Sequence, residues 1–199
     1  KLPNSLNSLQ IYCCDQFTYP LHQLPKTLYL LDIDKIDNRI KFLPNDLHSL
    51  TIKASTFNYF NNTNKYFPKT LKTLKLDSCH NFNHSLDNFP DTLKKLIIKW
   101  PMYTFNIPLN NLPKSLNSLT LQLCGQFNQP LDNLPELLET LALIDCISFD
   151  QPLNNLPDKL KTLIVKCKFF NQKLDNLPKS ITYLIIDKNL DRKHYAQYI

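Results

Sequence analysis

Residues 113–134 read PKSLNSLTLQLCGQFNQPLDNL, and residues 135–156 repeat the pattern as PELLETLALIDCISFDQPLNNL. In each block, leucines follow the opening proline by three, six and eight positions, a cysteine by eleven and a phenylalanine by fourteen. The opening Leu-Pro or Phe-Pro step recurs along the chain at intervals of roughly 22 residues, a period typical of stacked repeats. Its prolines are Pro3, Pro25, Pro44, Pro68, Pro90, Pro113, Pro135, Pro157 and Pro178. The repeat therefore occupies nearly all of the 199 residues.

The segment Leu-x-x-Leu-x-Leu-x-x-Cys is the strand half of a leucine-rich repeat. Alternate residues of a strand point to opposite faces, and one unit cannot bury its apolar face alone. We therefore expect a leucine-rich-repeat solenoid of about nine units, with a parallel β-sheet on the concave face, an irregular or 3₁₀ convex face and little helix. Leu74, Leu96, Leu119, Leu141 and Leu163 should be nearly fully buried. The strands should centre near residues 9–11, 31–33, 50–52, 74–76, 96–98, 119–121, 141–143, 163–165 and 184–186.

The repeat pattern divides the chain into two parts. Residues 1–188 are assigned to the solenoid, and residues 189–199, where the pattern stops, to a C-terminal extension or partial cap. Because the chain enters in mid-repeat, we expect that Lys1 is not the natural start and that a further segment covers the first unit.

Two units depart from the common length. The unit from Pro25 to Pro44 is short and lacks the Phe-Asn block, so we expect a tighter turn. The unit from Pro44 to Pro68 is long and asparagine-rich, so we expect it to bulge on the convex side with Phe57 still in the core.

The segments FNQPLDNLP at 127–135 and FNIP at 105–108 resemble the FNIP repeat. This leucine-rich-repeat variant is found in social amoebae and in giant viruses that infect amoebae. The resemblance extends over all nine units. It implies a binding module for a protein partner, frequently preceded by an F-box that recruits a ubiquitin ligase.

Cysteines mark the end of several strands, where a small, weakly polar side chain fits the core. The column comprises Cys14, Cys79, Cys124 and Cys146. Without a secretory signal, reduced and buried thiols are expected. Cys79, His80 and His84 form the only metal-like cluster, but no fourth ligand is near and Cys79 belongs to the repeat. We therefore expect neither a metal nor a cofactor.

The net charge of +6 invites a nucleic-acid interpretation, which the strand pattern opposes. The column nine residues after each proline alternates in sign, from Asp34 and Lys53 to Asp77 and Lys99, which favours internal pairing. Most excess lysines, including Lys94, fall at convex or turn positions. No apolar run approaches the ~18 residues that a membrane span requires. Neither a nucleic-acid nor a membrane partner is expected.

The column seven residues after each proline becomes apolar toward the C-terminus, where solvent would favour polar side chains. Such a surface marks a contact site for a partner or a second copy, or it is a filler of high β-propensity. Both interpretations stay open at this point. The candidate partner-binding residues of the concave face are Lys75, Ile97, Lys99, Trp100, Thr120, Gln122, Ala142, Ile144, Ile164, Lys166 and Ile185.

Catalysis is not expected from this sequence. No set of acid–base or nucleophilic residues remains once the residues of the repeat pattern are set aside. Glycine-dependent phosphate loops are excluded because the sequence contains a single glycine, Gly125. The leading expectation is a noncatalytic protein–protein interaction module. By resemblance, it would be the substrate-recognition part of a ubiquitin-ligase adaptor if an F-box precedes residue 1. The alternative is a structural or assembly protein that self-associates through an uncapped solenoid end or the concave face. The expected location is the cytoplasm, that of the host if the protein is viral.

Overall fold

The computed structural model describes residues 2–12, 21–34, 43–53, 67–80, 82–83, 85–87, 89–101 and 105–187. One sheet of nine strands runs through these residues, in sequence order, and every neighbouring pair is parallel. The strands are β1 (Ser8–Ile11), β2 (Leu30–Asp34), β3 (Ser49–Lys53), β4 (Thr73–Asp77), β5 (Lys95–Lys99), β6 (Ser118–Gln122), β7 (Thr140–Ile144), β8 (Thr162–Lys166) and β9 (Tyr183–Asp187). The helical content of the described part is one 3₁₀ turn at Leu21–Gln23. The predicted solenoid and its strand positions are confirmed.

Strict alternation along each strand builds the core. Leu74 and Leu76 of β4 are fully buried, whereas Thr73 and Lys75 on the opposite face are half-exposed. Leu74 lies beside Leu96 in the register of β4 and β5, so the leucines stack from unit to unit. Full burial of one such side chain contributes roughly 1.5–3 kcal/mol. The burial predicted for the five leucines is confirmed, with 0% exposure at Leu74, Leu96, Leu119, Leu141 and Leu163.

Four strands are followed by a residue in the left-handed backbone region, and none of the four is glycine. The φ angle is 55° at Ser78, 53° at Trp100, 56° at Leu123 and 57° at Asp145. Each N–H group donates to the carbonyl oxygen of the last residue of the next strand, as from Ser78 to Lys99 at 2.9 Å. The conformation costs about 1–3 kcal/mol for a non-glycine residue, so the neighbouring units hold it in place.

Phenylalanine side chains form a spine on the side of the core away from the sheet. The rings of Phe82, Phe105, Phe127, Phe149 and Phe170 are buried and stacked in order. Their centroids lie between 5.8 and 6.0 Å apart. Stacked aromatic pairs contribute about 0.5–1.5 kcal/mol beyond the area they bury.

A ladder of amides accompanies this spine on the convex surface. The Asn106 side-chain oxygen accepts hydrogen bonds from the Asn128 N–H at 2.9 Å and from the Gln129 amide at 3.1 Å. Asn128 makes the same pair of contacts one unit further along, with the Asp150 N–H and the Gln151 amide. The Asn or Asp that follows each of these phenylalanines up to Phe149 therefore accepts a backbone N–H of the next unit, a donor that no strand pairs.

The cysteine column is longer than its spacing predicts. Its described members, all buried and without disulfides, are Cys79, Cys124, Cys146 and Cys167. Cys167 belongs to the column although it comes one position earlier in its unit. It directly follows the last residue of β8, because no left-handed residue separates the two. Pro101 occupies the equivalent position after β5 and is also buried. The expected burial is confirmed for Cys79, Cys124 and Cys146.

Several predictions lie outside the described residues. They concern the tight turn before Pro44, the convex bulge with Phe57, Cys14, His84 and the extension at 189–199. They remain predictions.

Candidate functional site

The solvent-facing side of the sheet, called the concave face below, presents three columns of side chains. The middle column joins adjacent strands residue by residue, because all eight strand pairs share one register. It runs through Gln10, Asp32, Thr51, Lys75, Ile97, Thr120, Ala142, Ile164 and Ile185. The structure therefore places the candidate residues of this column in one continuous row.

The N-terminal half of the concave face is charged and internally paired. The Tyr12 hydroxyl donates to Asp32 at 2.8 Å, and this hydrogen bond raises the pKa of the tyrosine. Lys53 lies 3.7 Å from the same carboxylate and 4.1 Å from the centroid of the Tyr12 ring. Lys75 pairs with Asp77 at 2.8 Å. These contacts compensate the charges within the face itself.

In the C-terminal half of the face, the middle column is apolar except at Thr120, which lies between Ile97 and Ala142. We call Ile97, Ala142, Ile144, Ile164 and Ile185 the apolar stripe; its isoleucines are half-exposed. Ala142, at 4% exposure, is buried between larger neighbours in the row. Four strand spacings separate β5 from β9, so the stripe extends over about 19 Å. No other part of the described sheet face presents so many apolar side chains in register.

The remaining candidate residues border the stripe. Lys99, Gln122 and Lys166 lie in the outer column, on either side of Ile144. Trp100 lies just beyond this column in the left-handed turn, with its ring centroid 6.3 Å from that of His80. The structure thus surrounds an apolar centre with polar and charged groups, the usual composition of a contact surface.

A second rim of the sheet was not recognised from the sequence. It holds the residue that directly precedes each strand, and its members include Tyr29, His48, Lys72 and Lys94. The rings of Tyr29 and His48 stack with their centroids 4.3 Å apart. Lys94, expected at a convex or turn position, is exposed and lies between the turn at 91–92 and the first residue of β5. The sequence does contain a signal for this rim, because each of its members is the fourth residue after a repeat proline.

The buried thiols have no features of a reactive site. Burial, then hydrogen bonding to Cys124, raises the pKa of Cys146. Hydrogen bonding to Cys146, then burial, raises the pKa of Cys167. The thiolate is the form of cysteine that acts as a nucleophile or binds a metal. Because the raised pKa disfavours the thiolate, these cysteines behave as unreactive core residues. Within the described ranges, no group of three or more His, Cys, Asp or Glu side chains is arranged to hold a metal ion.

The regular parallel ladder, stacked leucine core and repeated turn define a leucine-rich-repeat-like solenoid. A crystal structure of CroV588, from a giant virus and described as a novel circular LRR protein, is similar to this chain. The two share 28% sequence identity with a TM-score of 0.58 over 91% of this chain. The match spans 24% of the CroV588 chain, so this chain covers about a quarter of its length.

Two further comparisons gave no match: no family model matches the sequence, and no curated protein does. The likeness thus supports the leucine-rich-repeat prediction and leaves the FNIP assignment a resemblance. Among the helices within the described ranges, none is long and apolar enough to cross a membrane.

Proposed function

We propose that this chain is a noncatalytic protein-interaction module that binds its partner on the concave face. The observation that carries the proposal is the apolar stripe, with Ile97, Ile164 and Ile185 half-exposed in one row. Solenoids of stacked repeats commonly use such extended surfaces for binding.

The stripe differs from a random set of exposed side chains in its rigidity and in its uninterrupted run from β7 to β9. Ile164 is flanked in register by Ala142 and Ile185, so a ligand that covers it also covers its neighbours. The strand below is fixed by buried Leu163 and Val165. A preformed surface limits the ordering cost of binding, which favours partner recognition over the filler interpretation.

The test is a selection of binders from a displayed peptide library on the intact chain. We expect Ile164→Asp to abolish binding of most selected peptides, because a carboxylate then stands in the middle of the stripe. Asn176→Asp makes an equal charge change on an exposed loop and should retain binding. Circular dichroism verifies folding, and Ile164→Thr gives a milder change that keeps the strand preference. Equal retention in all three variants would contradict the proposal.

A finer role follows from the FNIP resemblance. We propose that the module recognises substrates for a ubiquitin ligase if an F-box precedes residue 1 in the full protein. The resemblance is the support for this role, and the test is the upstream gene sequence followed by affinity purification. Co-purification of ubiquitin-ligase subunits supports the adaptor, whereas purification of copies of this chain alone supports an assembly protein.

Assembly through a solenoid end is the second candidate function. Leu184 of β9 occupies the core column, yet it is 45% exposed, whereas Leu163 beside it is fully buried. A neighbouring unit placed on β9 would cover this leucine and continue the ladder. Sedimentation velocity of the intact chain should then show concentration-dependent association that Leu184→Lys abolishes.

A further inference from the structure

Three lysines lie on two adjacent units where the second rim borders the concave face. We call Lys72, Lys94 and Lys95 the lysine rim; all three are exposed. The N–H groups of Lys94 and Lys95 both donate to the carbonyl oxygen of Lys72, at 2.8 and 2.9 Å. Within the part of the chain that the structure describes, none of the three side chains has a hydrogen bond or an ion pair. The fold therefore concentrates three uncompensated positive charges on two adjacent units.

The same rim shows how a compensated pair looks. Glu139 and Lys161 occupy the positions equivalent to Lys72 and Lys94, three units further along. Their side chains form an ion pair at 2.9 Å. Like charges at adjacent positions of a sheet repel each other, whereas opposite charges attract. A lysine at both positions is thus unfavourable for the fold alone and favourable for an anionic ligand.

The lysine rim is continuous with the apolar stripe. Lys95 and Ile97 lie two residues apart on the same face of β5, a separation of about 7 Å. From Ile97 the stripe continues toward β9. A ligand that lies across the strands meets positive charge at β4 and β5 and apolar side chains beyond them.

We propose that the concave face binds an extended segment of a partner protein with a short acidic cluster followed by apolar residues. The acidic cluster lies on the lysine rim, and the apolar residues lie on the stripe. This inference rests on the proposed function and specifies the chemistry of its partner. It assigns Lys72, Lys94 and Lys95 a role in selecting which segments bind.

The charges around the lysine rim favour a peptide over a nucleic acid. The rim is short, since Asn117 and Glu139 follow Lys94 at the equivalent positions. Asp77 of β4 lies on the same face of the sheet. A nucleic acid carries a regular row of phosphates and requires a longer basic stripe. A short cluster of carboxylates followed by apolar residues matches the small size of the lysine rim and the order in which the rim and the apolar stripe follow each other across the sheet.

The experiment uses a fluorescent 12-residue peptide with four aspartates followed by alternating leucine and threonine. Its control has lysine in place of each aspartate. Anisotropy titrations with the intact chain at low salt should show binding of the acidic peptide and at least about tenfold weaker binding of the control. Equal affinity for the two peptides would overturn the proposal.

Charge variants localise the effect. Lys72→Glu combined with Lys94→Glu should weaken acidic-peptide binding by about tenfold or more. Lys173→Glu combined with Lys179→Glu makes the same charge change at exposed positions away from the sheet and should leave the affinity within about twofold. Similar losses in both double variants would overturn the proposal.

Two further arms separate this inference from its rivals and from the proposed function. An oligothymidylate that binds more tightly than the peptide, with loss in the rim variant, would assign the lysine rim to nucleic acid and overturn the proposal. Loss with Ile164→Asp but not with the rim variant would retain the concave site and overturn its acidic specificity. Loss with the rim variant but not with Ile164→Asp would overturn the inference and count against the stripe.

Discussion

The Lys72 carbonyl oxygen accepts the Lys94 N–H at 2.8 Å, so two side chains of like charge are anchored to one rung of the ladder. We expect Lys72→Glu to raise Tm by about 1 °C, because it creates the charge arrangement of Glu139 and Lys161. Thermal unfolding at low salt is the measurement, and Glu139→Lys should lower Tm by a similar amount. A lower Tm in Lys72→Glu would contradict this account of the rim.

The left-handed turn after β4 predicts that replacing serine by glycine changes the free energy of unfolding in opposite directions at two sites. Ser78→Gly should raise the free energy of unfolding by about 1 kcal/mol, because glycine adopts a φ of 55° without steric cost. Ser118→Gly makes the same chemical change inside β6 and should lower it by about 0.5–1 kcal/mol. Urea unfolding of both variants checks the pair, and a loss of stability in both would argue against strain at Ser78.

Adjacent phenylalanines test the spine. Phe170 is 1% exposed and stacks on Phe149, whereas Phe169 is 60% exposed. Phe170→Ala should cost about 3–5 kcal/mol through the lost burial and the cavity that it leaves. Phe169→Ala should cost well under about 1 kcal/mol, since its ring lies mainly in solvent. Comparable urea midpoints for the two variants would contradict the spine.

The buried thiols predict how stability depends on pH. The folded state holds the pKa of Cys146 above its usual value, so thiolates form more readily in the unfolded chain. The stability that this provides is complete below an unfolded pKa of about 8.5 and is lost above it, at up to about 1.4 kcal/mol per pH unit per thiol. Urea unfolding between about pH 7 and 10 measures the loss.

The control for this prediction is the double variant Cys146→Ala with Cys167→Ala. Its free energy of unfolding should fall less steeply with alkaline pH than that of the unmodified chain, because two of the shifted groups are gone. An unchanged slope would show that other groups cause the alkaline loss.

The sheet and its core were predictable because a strand alternates with a period of two residues. The spacing of Leu119 and Leu121 already determines which side of β6 is buried. It also places Ile97 and Ile164 on the concave face, where the structure has them. Such patterns depend on each unit and its immediate copies, which a single sequence displays.

Other features depend on contacts that the pattern does not encode. The turn at Ser78 is left-handed without a glycine signal, and Gly125, the single glycine, has no positive φ. Ala142 is buried because taller side chains stand beside it, which spacing alone does not reveal. The lysine rim was missed because Lys94 directly precedes its strand, and a residue at a bend can face either surface.

Isoleucine methyl NMR of the intact 23.3 kDa chain tests the central claim most directly. Four isoleucines of the apolar stripe serve as reporters, while Ile107 and Ile147 lie away from the strands. On titration with the acidic-apolar peptide, we expect shifts at Ile97, Ile144, Ile164 and Ile185, with Ile107 and Ile147 unchanged. Chemical-shift changes at Ile107 and Ile147, without any change at the four isoleucines of the apolar stripe, would contradict binding on the concave face.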